Sequence, residues 1–244
     1  MDNDTLSPSQ QKGYSTLAVT RAQLPAVEDD LMESLGEDEQ LSFELYVPSG
    51  AASEPPGLLV YISPKPGARM PPDWAAVLDA ENLVWIGAND SGNEIAVTRR
   101  VALALLAPLA AAHHAAGIGL ASLNAERTFL SGFSGGGRVA SMMMPLYYET
   151  YRGAIYICGA NPVEPLNDTQ LRGLSAHRFV FLTGTEDFNH LDTQFAIGLS
   201  QRAGLGGGAL YVVDGLGHAL PDADPLARSL RFLQGEDDAL IAEE

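Results

Sequence analysis

The chain of 244 residues suits one large domain or two small ones, and because 46% of it is apolar and these residues are spread along its length, it can bury a sizeable core. Its 31 acidic residues outnumber the 14 lysines and arginines, which gives a formal net charge of −17. Such a surface repels phosphate backbones and anionic lipid heads, so the composition argues against nucleic-acid binding.

The two ends of the chain carry much of this negative charge. Seven acidic residues lie in 28–39 and five lie in 236–244. We interpret 1–40 as an acidic N-terminal extension that is ordered at most in part, 41–235 as one folded domain and 236–244 as an acidic tail. The pattern does not decide whether 14–37 adds a strand to the domain or covers a cleft.

The cysteine content and the first residues leave the compartment open. Cys158 is the only cysteine, so no intramolecular disulfide forms, and its place in the apolar run 155–158 indicates a small buried side chain rather than a nucleophile. The first thirteen residues are polar and contain no signal peptide, although one removed earlier would leave no trace. The longest apolar stretch, 101–120, contains Pro108 and two histidines, and it predicts a buried or amphipathic helix rather than a membrane span.

Apolar strands and helices alternate along the chain. Apolar and polar residues alternate in 41–47, which predicts a half-buried strand, and the later strands are continuous apolar runs. The predicted strands are 41–47, 58–62, 82–86, 127–130, 153–158, 178–182 and 209–213. The predicted helices are 73–80 (with Asp73 as its N-cap), 95–116, 135–147, 192–203 and 225–233. This order predicts an α/β fold in which a mostly parallel, doubly wound central sheet carries helices on both faces, and active sites in such sheets form beyond the carboxyl ends of the strands.

One short motif carries the chemistry. The sequence G-x-S-x-G spans Gly132 to Gly136, with an apolar strand before it and an apolar helix after it. This strand–turn–helix setting is that of a nucleophile elbow, in which the flanking glycines relieve crowding and the serine hydroxyl stands at a helix N-terminus. Ser134 is therefore the candidate nucleophile. The N–H of Gly135 is then placed to stabilise an oxyanion on the attacked carbonyl.

A serine hydroxyl needs a base, and the base needs an orienting carboxylate. Of the five histidines, His218 follows the predicted strand 209–213, so it lies at the edge of the sheet where a base for Ser134 belongs. Asp187 follows the strand 178–182 and is the best candidate for the carboxylate. The alternatives for that role are Glu186, Asp192 and Asp214.

The residues named above resemble the α/β-hydrolase superfamily. The order Ser134, Asp187, His218, each after a successive strand, matches the triad order of that family, and the match is carried by the segments GFSGGG, GTEDFNH and GLGH. The resemblance covers 41–234 and is greatest to compact esterases of the feruloyl-esterase and polyhydroxyalkanoate-depolymerase kind. It implies an α/β-hydrolase domain and a serine esterase that cleaves a carboxylic ester through an acyl-enzyme intermediate.

The chain departs from that family at the loop that supplies the second oxyanion donor. Many relatives carry His-Gly there, whereas this chain has Ser-Pro-Lys-Pro-Gly in 63–67. Proline has no N–H to donate, so the donor must be the amide of Lys65, Gly67 or Ala68, or come from elsewhere. We expect Lys65 to supply it.

Two further features concern the surroundings of the site. The loop 87–93 also follows a strand, so Asn89 or Asn93 is placed either to bond a substrate or to brace the site, and a turn held by polar side chains is the favoured reading. Only about twenty residues separate the strands at 153–158 and 178–182, which leaves no room for a large cap domain. An open site favours a small-molecule or polymer-borne ester as substrate.

The sequence contains no Cys/His metal-ligand spacing and no phosphate-binding glycine fingerprint after a strand, so we expect neither a cofactor nor a metal. Three alternatives to an esterase remain, and one of them is an interaction protein whose acidic termini matter more than its pocket. The same triad would also serve to hydrolyse a thioester or a peptide. The unusual loop 63–67 is compatible with a non-catalytic binding protein of the same fold. The acyl and alcohol groups are not specified by the sequence.

Overall fold

A computed structural model of the protein describes residues 13–27, 30–50, 54–120 and 122–236. Within these ranges eight strands form one sheet, and six helices surround it. The strands are β1 (Gly13–Thr20), β2 (Gln40–Val47), β3 (Gly57–Ile62), β4 (Leu83–Ala88), β5 (Thr128–Phe133), β6 (Gly153–Ile157), β7 (Arg178–Gly184) and β8 (Gly208–Val213). The helices are α1 (Trp74–Ala80), α2 (Val97–Gly117), α3 (Gly135–Met143), α4 (Asp168–Leu174), α5 (His190–Arg202) and α6 (Ala223–Leu233).

The strand order is β1-β2-β4-β3-β5-β6-β7-β8. β2 pairs antiparallel with β1 and β4, and every pairing from β4 to β8 is parallel. The predicted mostly parallel, doubly wound sheet is therefore confirmed. Because the parallel strands share one direction, the loops that follow β3 through β8 all open on the same edge of the sheet.

The N-terminal region contributes an edge strand to this sheet. β1 pairs with β2 along its whole length, from Gly13 opposite Val47 to Thr20 opposite Gln40. This answers, for 13–20, the question of whether the segment before β2 adds a strand. The domain boundaries at 40 and 235 stay predictions, and 1–12 and 237–244 lie outside the described residues.

The parallel strands are apolar throughout because both faces of the sheet are covered. Successive side chains of a strand point to opposite faces. On β3, Leu58, Val60 and Ile62 pack in the layer formed with α2, α3 and α5. Leu59 and Tyr61 pack in the opposite layer, with α1 and α6. Two apolar layers thus fix the sheet and aim its loops at one edge.

Helix α2 contains a proline whose missing hydrogen bond is replaced from elsewhere in the chain. Pro108 lies inside the helix and has no N–H to donate to the carbonyl of Ala104, four residues earlier. The hydroxyl of the fully buried Tyr151 donates to that carbonyl at 2.7 Å. The Tyr151 hydroxyl thus satisfies a buried carbonyl, so the helix continues through the proline.

No helix in the described ranges combines the length and the apolar character that crossing a bilayer requires.

Two helix ends differ from the sequence prediction for local reasons. α3 ends at Met143 rather than at 147, because Pro145 has no N–H with which to continue the helical pattern. Asp73 precedes α1 as predicted, but its side chain makes no capping bond. The carbonyls of Pro71 and Pro72 accept from the amides that open α1 instead, so a side-chain cap is not needed.

Candidate active site

The turn between β5 and α3 holds Ser134 in a strained backbone conformation. Its φ of 53° and ψ of −119° lie in a region that residues with a side chain rarely adopt. The turn closes only because the flanking residues are glycines. A Cβ on Gly132 would lie 2.4 Å from the carbonyl carbon of Gly136, and one on Gly136 would lie 1.9 Å from the carbonyl oxygen of Ile62. This is the sharp turn that the G-x-S-x-G motif predicts, with the half-buried serine at the start of α3.

The three residues proposed as a triad form one hydrogen-bonded chain. The Oγ of Ser134 lies 2.9 Å from Nε2 of His218, and Nδ1 of His218 lies 2.7 Å from Oδ1 of Asp187. The Asp187 side chain is fully buried, whereas the His218 side chain is 19% exposed. With the proton on Nδ1, His218 donates to the carboxylate and accepts from the serine hydroxyl, which is the tautomer of a general base.

The alternative carboxylates lie away from this chain. Glu186 and Asp214 are exposed, and Asp214 accepts a bond from Thr185 at 3.3 Å. Asp192 is also exposed and pairs with Arg138 on α3 at 3.3 Å. Of the four candidates, only Asp187 is joined to His218 in the contacts of the described residues.

The environment of Asp187 keeps its carboxyl group ionised. Burial raises its pKa, but donors outweigh this effect and hold the pKa below its usual range. These donors include the N–H of Asn189, 3.0 Å from Oδ1, the ring of His218, and the hydroxyl of Thr183, 2.8 Å from Oδ2. A fixed negative charge under His218 stabilises the imidazolium that forms when the histidine takes a proton.

Cys158 lies beside this carboxylate, which the sequence analysis did not predict. It directly follows β6, is fully buried, and places its Sγ within 4.8 Å of the ligand atoms of Asp187 and His218. Burial, together with the neighbouring Asp187 carboxylate, raises the pKa of the thiol well above its usual range. The thiol is therefore a neutral, inert group, as its apolar sequence context indicated. We assign no metal to these three residues, because a metal would have to deprotonate this thiol and break the Asp187–His218 bond.

The structure gives a partner to the amide that the sequence analysis expected in the oxyanion hole. The N–H of Lys65 donates to Oγ of Ser63 at 3.0 Å, inside its own loop. The N–H of Ala68, another candidate, donates to Oδ1 of Asn89 at 3.0 Å. Gly135 opens α3 directly after Ser134, as expected. The role of Lys65 stays a prediction, and it requires the loop to release that amide.

The loops after β3 and β4 are tied into one unit by a buried arginine. Arg100 on α2 is 4% exposed, and its guanidinium donates to the carbonyl of Ser91 at 2.7 Å and to that of Ser63 at 3.0 Å. Asn89 acts as a brace, because its side chain also donates to Ser42 at 2.9 Å and to Glu44 at 3.0 Å. The loops after β3 and β4 are thus fixed by hydrogen bonds to α2 and β2.

Apolar side chains surround the entrance of the site. The ring of Phe188 covers His218, and the ring of Phe133 contacts it from 5.0 Å between centroids. Phe188, Leu191 and Phe195 are all largely exposed at the start of α5. Between β6 and β7 only the seven-residue α4 is present in the described chain, so the site is open, as the short connection predicted.

A cavity of about 660 Å³ lies beside the triad rather than at it. It is lined by Tyr14, Glu44 and Met70 among others, and it shares Gly67 and Asn89 with the loops that border Ser134. None of the triad residues lines it. The cavity is therefore a recess on the β1–β2 side, separate from the serine–histidine pair.

Comparison with known proteins gives structural likeness without close sequence relatives. No protein-family model matches the sequence, and no curated protein matches it. Among solved structures, a ferulic acid esterase is 12% identical, with a TM-score of 0.58 over 91% of this chain and 99% of its own. A serine-to-alanine mutant of the feruloyl esterase module from Clostridium thermocellum, complexed with sinapinate, is 13% identical, with a TM-score of 0.60 over 97% of this chain and 93% of its own.

A third similar structure is Thermogutta terrifontis esterase 2 phosphorylated by paraoxon. It is 16% identical, with a TM-score of 0.54 over 93% of this chain and 94% of its own. The agreement extends over nearly the whole length of each protein, so it concerns the complete domain. The predicted likeness to compact feruloyl esterases is confirmed in structure, and the chain has the α/β-hydrolase fold.

Proposed function

We propose that the protein is a serine hydrolase that cleaves a carboxylic ester through an acyl-enzyme intermediate. Ser134 is the nucleophile, His218 the general base and Asp187 the group that orients the base. The observation that carries this proposal is the continuous chain of contacts at 2.9 Å and 2.7 Å that ends on a buried, ionised carboxylate. The similar structures described above are named as esterases, which supports the reaction class.

Acylation uses the serine–histidine contact directly. His218 Nε2 takes the hydroxyl proton while Oγ of Ser134 bonds to the carbonyl carbon, and the π electrons move to the carbonyl oxygen. The N–H of Gly135 stabilises the resulting oxyanion. Asp187 stays ionised and offsets the positive charge that develops on His218.

Collapse of the tetrahedral adduct completes the half-reaction. The bond from carbon to the alkoxy oxygen breaks, and His218 gives its proton to that oxygen, so a neutral alcohol leaves. Water then attacks the acyl-enzyme, with His218 taking its proton. Release of the acid returns the proton to Ser134, and the cycle balances without a cofactor.

The surroundings favour a substrate whose ester is accessible from outside. No large cap covers Ser134 in the described chain, and the exposed Phe188 offers an apolar wall beside the base. A small ester or an ester borne on a polymer fits such an entrance, whereas an apolar molecule that needs full enclosure does not.

Two alternatives keep the same fold. The triad would also serve a thioester or peptide, since the leaving group is chosen by the pocket. A non-catalytic binding protein is motivated by Lys65, whose amide already donates to Ser63. These alternatives differ from the esterase in what the purified protein hydrolyses.

The test compares an ester, a thioester and an anilide that carry the same acyl group. The proposal predicts that the ester has the highest kcat/KM, and that Ser134→Ala lowers kcat by about 10⁶-fold or to the detection limit. Ser122→Ala is the matched control, because Ser122 is exposed just before β5, at the opposite edge of the sheet. Faster thioester or anilide cleavage would move the protein to that class, and no turnover by the folded protein would favour a binding role.

A further inference from the structure

The side-chain amide of Asn93 lies where a side chain at position 135 would be. A Cβ built on Gly135 would lie 2.1 Å from Oδ1 and 2.9 Å from Nδ2 of Asn93. Gly135 is the residue that follows Ser134 and supplies the expected oxyanion N–H. Because residue 135 has no side chain, the Asn93 carboxamide can occupy the space next to Ser134.

Asn93 is held in this position from its backbone. Its N–H donates to the carbonyl of Pro64 at 3.0 Å, which ties it to the loop after β3. Both loops are fixed by Arg100, which bonds the carbonyls of Ser63 and Ser91. Asn93 itself is exposed, so its amide faces the open edge of the sheet rather than the core. The backbone of Asn93 is therefore fixed, and its side-chain amide is accessible to a substrate.

The loop after β3 has few amides left for an oxyanion. Its two prolines have none, and the amides of Lys65 and Ala68 donate to Ser63 and Asn89 respectively. Gly67 lines the neighbouring cavity, where a Cβ built on it would lie 3.8 Å from Oδ1 of Asn89. One backbone donor, at Gly135, is a weak oxyanion hole by itself.

We propose that the side-chain N–H of Asn93 is the second oxyanion donor. This inference rests on the proposed hydrolase function and replaces the backbone amide of Lys65 in that role. The carboxamide already stands beside Gly135, with Oδ1 nearer than Nδ2, and it presents its N–H to the oxyanion by turning about its own side-chain bonds. Two donors, one from the start of α3 and one from the loop after β4, then stabilise the charge that develops on the carbonyl oxygen.

The experiment measures kcat and KM with p-nitrophenyl acetate, and the Ki of a trifluoromethyl ketone that forms a tetrahedral adduct with the serine. Loss of one oxyanion donor lowers kcat by about 10²- to 10³-fold, so we expect Asn93→Ala to do this with little change in KM. The ketone should lose affinity in proportion to kcat/KM. Asn93→Asp should be at least as damaging, because it replaces a donor by a negative charge. Glu94→Gln, an exposed neighbour in the same loop, should keep wild-type kinetics.

A second variant, at position 135, tests the role of the same Asn93 carboxamide. Gly135→Ala keeps the backbone N–H, but its methyl group displaces the Asn93 carboxamide. We expect it to lower kcat about as much as Asn93→Ala, and the double variant to lose no more than either single one.

The outcomes separate this inference from the proposed function. A wild type that hydrolyses esters and an Asn93→Ala variant within about threefold of it in kcat would overturn the donor role and leave the hydrolase standing. A fall in kcat without loss of ketone affinity would also overturn it, because it would show a role in folding or positioning. A wild type that neither hydrolyses the ester nor binds the ketone would remove the function itself, and the inference with it.

Discussion

The ring of Phe188 lies over the imidazole of His218, with 4.0 Å between ring centroids and 32° between ring planes, although 77% of Phe188 is exposed. The contact covers one face of the proposed base, and Phe133 contacts the same ring at 5.0 Å. Stacking holds the imidazole in its hydrogen-bonded orientation, and the face of an aromatic ring attracts the imidazolium form electrostatically. The contact with His218 therefore accounts for a phenylalanine that is largely exposed to solvent.

Replacing Phe188 by alanine should lower activity without lowering stability much. Aromatic pairs contribute about 0.5–1.5 kcal/mol, so we expect kcat/KM to fall by about 2- to 10-fold while the midpoint of urea unfolding stays nearly unchanged. Phe195→Ala is the matched control, because Phe195 is 66% exposed on α5, which begins two residues after Phe188, and no ring contact joins it to His218 in the described residues. Equal losses in the two variants would contradict a specific role for Phe188.

The lowered pKa of Asp187 predicts how stability depends on pH. The carboxyl group binds its proton less readily in the folded protein than in the unfolded chain, where its pKa is about 3.9. Its contribution to the free energy of unfolding is thus fully present above about pH 4 and is lost as the pH falls through the folded pKa. The difference in stability between wild type and Asp187→Asn should therefore be constant near neutrality and shrink in acid.

Urea unfolding of both proteins from pH 2.5 to pH 7 measures this difference, with the exposed Asp214→Asn as control. A difference that stays flat into acid would mean that the pKa of Asp187 is not lowered. At neutral pH the same Asp187→Asn variant should lose about 10⁴-fold in kcat, the magnitude known for this change in a serine protease triad.

Cys158 should resist thiol reagents in the folded protein. Its side chain is fully buried, and the raised pKa of the thiol keeps the reactive thiolate scarce. We expect Ellman's reagent at pH 8 to release no thiolate chromophore from the native protein and one equivalent after unfolding in urea, since the chain has one cysteine. Rapid reaction of the native protein would show that the thiol is accessible and would contradict the packing around Asp187.

The bond from Tyr151 to α2 can be tested by a double-mutant cycle. Tyr151→Phe leaves the carbonyl of Ala104 without a donor, which should cost about 1–3 kcal/mol in the free energy of unfolding. In a Pro108→Ala background the new backbone N–H can donate to the same carbonyl, so the cost of Tyr151→Phe should fall below about 1 kcal/mol. Equal costs in both backgrounds would show that Tyr151 does not substitute for the missing helical bond.

Sequence patterns predicted the parts of this protein that depend on neighbours along the chain. The alternation of apolar strands and helices specified the sheet, because strand burial on both faces requires continuous apolar runs. The turn at Ser134 followed from glycines at fixed offsets, since only they tolerate the contacts at 132 and 136. Both inferences need only the spacing of residues near one another in the chain and the known residue periods of strands and helices.

The same sequence patterns did not predict the contacts between loops. The amide of Asn93 reaches Gly135 across more than forty residues, and the ring of Phe188 turns back onto His218 across thirty. The sequence offered Asn93 as one of two possible braces, but it did not show that Lys65 would bond Ser63 within its own loop. Loop conformations depend on packing against distant elements, so periodicity carries no information about them.

Labelling with a fluorophosphonate probe, read by intact mass, shows directly whether Ser134 is an activated nucleophile. We expect one adduct on wild type, because His218 activates a single serine in the turn after β5, and none on Ser134→Ala. Wild-type protein that is folded yet takes no adduct would contradict an activated serine, and an adduct that persists on Ser134→Ala would place the nucleophile elsewhere.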